Sequence, residues 1–126
     1  MNVAHIVLVI AFLESSLGRN FNHPDPHNHG WTGISDIAIK DLNNRAGYEK
    51  YKATNMNNRE MCFRASVEHI NNYLETHADW SLTDILLFWR CGIGGMNRPT
   101  PKQLEYMQNG VERYSKLING DPRWKE

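Results

Sequence analysis

The chain has 126 residues, 40% of them hydrophobic and 22% charged, a balance suited to a single globular domain spanning residues 1–126 around one core. Lysine plus arginine equals aspartate plus glutamate at 14 each, so there is no cationic surplus for a nucleic-acid backbone or an anionic membrane, and a neutral or zwitterionic ligand suits the chain at least as well, though charge alone excludes nothing. Two cysteines, Cys62 and Cys91, are too few for a disulfide framework; they read as free thiols packed on core helices, with one bridge as the alternative.

Residues 3–13 form an apolar run that includes Ile6, Val7, Val9, Ile10 and Phe12 and stops abruptly at Glu14-Ser15-Ser16-Leu17-Gly18-Arg19. No Lys or Arg precedes the run, His5 interrupts it and no small-x-small cleavage site follows, so a secretory signal is disfavoured. It also falls short of the roughly 20 apolar residues that span a bilayer, and stable membrane insertion is not expected. The run reads as a buried helix. A carboxylate at its end lies where water is scarce and the helix dipole is negative, and both effects favour the protonated acid. A protonated acid near neutrality is a proton donor for a glycosidic oxygen, which makes Glu14 the catalytic candidate.

Residues 18–33 are rich in Asn, Pro, Asp and Gly and form a long loop, expected to make one wall of a cleft beside Glu14. Within it His23, Asp25, His27 and His29 alternate, a spacing that could present metal ligands on one side of an extended segment. A metal-binding protein is therefore an alternative, although loops rich in histidine also occur without metal, and no cofactor is assigned. A short helix over residues 34–43 follows from Ile34, Ile37, Ala38 and Leu42, with Gly47 past its end.

Residues 48–58 are polar, with a Tyr48/Tyr51 pair and no clear period. A strong helix is predicted over residues 59–77 from the stripe Phe63, Val67, Ile70 and Leu74. Ser81 caps the next helix, with Asp84 three residues beyond and Leu82, Ile85, Leu86 and Trp89 along it, until Gly92, Gly94 and Gly95 end it. Thr100 caps a last helix with Pro101 at its first position, and Leu104, Met107, Val111, Tyr114 and Ile118 are its predicted buried stripe. No stretch alternates with period two, so the class is all-α or mainly α.

Three of these pieces, taken together, are similar to the lysozyme-like fold of soluble lytic transglycosylases and goose-type lysozymes. Glu14-Ser15 resembles that family's catalytic Glu-Ser at the end of its core helix. Gly33-Ile34-Ser35-Asp36 stands where the family has Gly-Leu-Met-Gln. Trp89-Arg90-Cys91-Gly92-Ile93-Gly94 resembles Tyr-Asn-Ala-Gly-Pro-Gly, and Glu112-Arg113-Tyr114 resembles the closing segment with its active-site Tyr. Asp36 in place of Gln and Arg90 in place of Asn depart from the pattern.

The resemblance implies cleavage of the MurNAc-GlcNAc bond of peptidoglycan glycan strands by a monomer, with Glu14 as general acid and then base. A transglycosylase needs no second carboxylate, because the sugar's own 6-hydroxyl closes a 1,6-anhydro ring. A hydrolase would want a water-activating acid, for which Asp25 and Asp36 are the candidates. Ser15, Ser35, Trp89 and Tyr114 are the expected substrate contacts. Such a protein would act in the periplasm or cell wall as an exported, phage-released or virion-associated enzyme. A non-catalytic glycan-binding or structural module is the remaining alternative.

Overall fold

The computed structural model describes residues 1–21 and 23–126; Asn22, within the predicted loop, lies outside them. The described residues form α1 (Val3–Ser15), β1 (Asn28–His29), β2 (Ile34–Ser35), α2 (Asp36–Ala46), α3 (Arg59–Leu74), α4 (Leu82–Cys91) and α5 (Pro101–Ile118), with 3-10 turns at Ala53–Asn55 and Pro122–Lys125. The fold is mainly α. Strands β1 and β2 pair antiparallel, with His29 opposite Ile34, and close the long loop into a small hairpin. No helix among the described residues is long and apolar enough to cross a membrane.

The local signals act where the sequence places them. Ser81 and Thr100 each complete a capping box, with Asp84 and Gln103 returning a bond to the cap, and these reciprocal bonds satisfy N–H groups that a helix start leaves open. Gly47 ends α2 in the left-handed conformation. Two helices, α2 and α3, differ from the expectation at their ends. Ile34 belongs to β2, so α2 begins at Asp36 under a Ser35 cap and runs to Ala46, and α3 ends at Leu74, three residues early.

Helix α1 packs against α3 and α5, α5 packs against α4, and α2 packs against α3. Two apolar clusters result. One gathers Ile34, Ala38, Ile39, Leu42, Tyr51, Met56, Cys62 and Ala65; the other gathers Ile6, Val7, Ile10, Ile70, Ile85 and Leu86. Each buried Val, Leu or Ile side chain here contributes roughly 1.5–3 kcal/mol. Trp89 packs against both clusters and so sits at their seam.

The stripe predicted for α5 holds in part, since Met107 and Tyr114 pack against the second cluster. Leu104, Val111 and Ile118 are exposed, and the fully buried residue of the helix is Gly110. A Cβ at Gly110 would stand 2.7 Å from Leu86 Cδ1 and 3.3 Å from Leu13 Cδ1, so the absent side chain is what lets α5 approach α1 and α4. Close approach at the glycine rotates Tyr106 and Met107 inward and Leu104 and Val111 outward. Ile37, counted toward the apolar face of α2, is likewise 82% exposed.

Candidate active site

The chain reverses directly after Glu14. Ser16, Leu17 and Gly18 all have positive φ, at 50°, 59° and 85°, a conformation that costs non-glycine residues energy and holds only where surrounding contacts enforce it. Ser15 supplies such contacts: its Oγ donates to Trp31 O at 2.6 Å, lies 3.0 Å from Ala11 O, and accepts from the Gly18 N–H at 2.9 Å. Ser15 is therefore a buried brace between the helix end and the loop rather than a surface for substrate. Gly18 lies under the Trp31 ring, where a side chain would collide.

The reversal sets Glu14 in a cleft of about 440 Å³. The loop and hairpin contribute His23, Pro24, Asp25, Asn28, Gly33 and Ser35 to its walls; α4 and the turn after it contribute Trp89, Arg90, Cys91 and Ile93. Glu14 is 11% exposed. Gly33 is what leaves it space, since a Cβ there would stand 2.9 Å from Glu14 Oε2.

Burial raises the Glu14 pKa above the ordinary carboxylate range, opposed in turn by the Arg90 guanidinium, the Tyr106 hydroxyl and His23. Arg90 Nη1 lies 3.9 Å from Glu14 Oε1, a loose ion pair, and its guanidinium also lies over the Tyr106 ring at 5.5 Å. The Tyr106 hydroxyl is enclosed without a hydrogen bond of standard geometry. It is nonetheless near enough to Glu14 to act on it, and burial followed by the Glu14 charge pushes its own pKa well above 10.0.

The residues expected at the site divide. Glu14, Asp25, Ser35 and Trp89 line the cleft together. Trp89 is fixed by its indole N–H, which donates to Thr32 O at 3.0 Å, and Ser35 caps α2 by accepting from Ala38 N–H. Asp25 Oδ1 accepts from the His27 N–H at 2.9 Å, the bond of a turn residue.

Asp36 does not join them. It is not in the cleft lining and pairs instead with two loop histidines, His27 Nδ1 donating to its Oδ2 at 2.8 Å and His29 Nε2 to its Oδ1 at 2.5 Å. These hydrogen bonds hold the Asp36 carboxyl below its usual range, and the bond to Asp36 raises His27. His23 does not join His27 and His29, because its Nε2 donates instead to Gly30 O at 2.7 Å. Among the described residues no group of three or more His, Cys, Asp or Glu side chains is arranged to hold a metal ion. Cys62 and Cys91 are both free thiols, Cys62 buried and Cys91 half-buried at the cleft.

Tyr114 is also elsewhere. Its hydroxyl accepts from the Asn2 N–H at 3.3 Å, at the opposite end of α1. Tyr106, two turns earlier on α5, is the tyrosine beside Glu14. The sequence carried one sign of this: a glycine at mid-helix, one turn after Tyr106, marks a close helix contact. Comparison of the chain with family models, curated proteins and solved structures finds no match.

Proposed function

We propose that the protein cleaves the MurNAc-GlcNAc bond of peptidoglycan, as a lytic transglycosylase or muramidase on a lysozyme-like fold, with Glu14 as its general acid and base. The observation that carries this reading is a carboxyl group at the end of a buried helix, 11% exposed and opening on a cleft, whose ionisation burial opposes. Such a group keeps its proton into the pH range where an ordinary Glu has lost it, and can deliver it to a leaving sugar oxygen. Once ionised it is the base for the second half-reaction, stabilised by Arg90 at 3.9 Å. Tyr106 brings a buried hydroxyl to the same carboxyl.

Asp25 is the sequence-predicted second carboxylate that lines the cleft, and it is the candidate base if water is the acceptor. An acceptor 6-hydroxyl on the sugar itself needs no such group. Digestion of purified peptidoglycan by wild type and Glu14→Gln, followed by mass analysis of the fragments, tests the reading. Wild type should release muropeptides and the variant should be at least about a hundredfold slower. Anhydro ends identify a transglycosylase, and reducing ends a hydrolase. Equal activity of the two proteins would remove Glu14 from the chemistry, and an inactive wild type that still binds glycan would leave a binding module.

A further inference from the structure

The loop wall of the cleft carries an imidazole as well as a carboxylate. His23 is half-buried and lines the cleft together with Glu14. Its Nε2 lies 2.7 Å from Gly30 O, and a carbonyl oxygen can only accept, so the neutral ring carries its proton on Nε2. Nδ1 is left with the lone pair.

The acceptor that sets this tautomer is itself fixed. Gly30 is buried with φ at 69°, and a Cβ there would stand 2.1 Å from Met56 O, so the loop backbone is pressed against the segment just before α3. The Gly33 N–H donates to the same Gly30 carbonyl at 3.3 Å. Pro24, next in the chain, confines the His23 backbone to extended conformations. Asp25 is held differently: it is exposed, and its Oδ1 accepts from the His27 N–H.

A ring oriented through one nitrogen by a carbonyl, with its other nitrogen unprotonated, has the form of a general base. Imidazole is the side chain most often used in that role near neutrality, because it takes a proton readily there and releases it again. A protonated His23 also acts on Glu14 through its charge, so the two groups share one electrostatic site. Burial leads Glu14 to keep a proton, and the Gly30 carbonyl orients His23 to accept one.

We propose that the protein is a hydrolase in which His23 Nδ1 is the general base that activates water. The inference rests on the glycan reading of the cleft and deepens it, naming the acceptor and a second catalytic residue. Nδ1 takes a proton from water as the water oxygen bonds to the anomeric carbon. The bond from that carbon to the leaving oxygen breaks, and Glu14 gives that oxygen its proton. One turnover leaves His23 protonated and Glu14 ionised, and the proton returns from His23 to Glu14 through solvent. Asp25 is then a turn residue of the loop and not the base.

His23→Gln separates a base from a brace. Glutamine brings an amide nitrogen near the place of Nε2 and can still donate to Gly30 O, but it has no basic nitrogen. On purified peptidoglycan the variant should release reducing ends at least about a hundredfold more slowly than wild type. Sodium azide attacks carbon without giving up a proton, so it should raise the rate of the variant about tenfold and leave glycosyl azide at the new ends. Thermal unfolding reports whether the variant is folded. If it is not, His23→Ala with added imidazole decides the matter, and recovery of cleavage is the expected result.

His23→Gln as active as wild type overturns the proposal, and so does a loss that azide leaves unrepaired. Azide rescue of Asp25→Asn and not of His23→Gln passes the role to Asp25. Wild-type fragments that end only in anhydro sugars overturn the hydrolase and leave Glu14 its proposed role as acid. A wild type that cleaves nothing overturns both.

Discussion

At the scale of single residues the site is a contest over one proton. Burial of Glu14 favours the neutral acid, and Arg90 is the strongest influence against it. A carboxyl whose folded pKa is raised contributes stability that is present at low pH and fades as pH rises through that pKa. The proposed use of Glu14 as an acid fades over the same interval, so on that proposal the alkaline limb of kcat/KM on peptidoglycan should follow Glu14. Removing the cation by Arg90→Gln should move that limb to higher pH, because the largest effect opposing protonation has gone. A limb that stays in place, or moves to lower pH, would show that another group sets it. That Glu14 ends a buried helix was legible from the sequence, because the apolar run before it has to lie in the core. The nearness of Tyr106 to Glu14 was not, because it arises only when α5 is brought beside the end of α1.

At the scale of elements, the caps and stops were legible and the helix faces less so. Ser81, Thr100 and Gly47 act on backbone groups within a few residues, and such effects are written in local sequence. The face that α5 buries is settled by distance to its neighbours, and there Gly110 outweighs the apolar stripe Leu104, Val111 and Ile118. Gly110→Ala weighs the two directly. Alanine would gain up to about 1 kcal/mol in helix propensity. Its Cβ, however, would press on Leu86, which is itself fully buried, and overpacking of this kind costs about 1–3 kcal/mol. The variant should therefore unfold a few degrees below wild type in a calorimetric scan. A rise in Tm would mean that Leu86 yields freely and that the α4 to α5 contact is loosely packed.

At the scale of the molecule, two apolar clusters meet at Trp89, and Trp89 lines the cleft together with Glu14 and the hairpin. The mainly α class follows from helical periodicity. The hairpin was missed because a ladder two residues long has no period to detect. Charge is also a property of the whole: the net charge is +0, and several cations pair with neighbouring carboxylates, Arg45 with Asp41, Lys50 with Glu68, Lys116 with Glu112 and Arg123 with Asp121. A surface of this kind projects little field beyond the Debye length of about 10 Å at 0.1 M salt, so on the proposed glycan reading attraction to an anionic wall supplies little of the affinity. Contacts within the cleft, made by hydrogen bonds and aromatic faces, must supply it instead. Co-sedimentation of the Glu14→Gln protein with purified peptidoglycan should accordingly change by less than about twofold between about 50 and 300 mM salt. A steep fall over that range would place the affinity on an unpaired cationic patch outside the cleft, and the glycan would then be a bystander to binding.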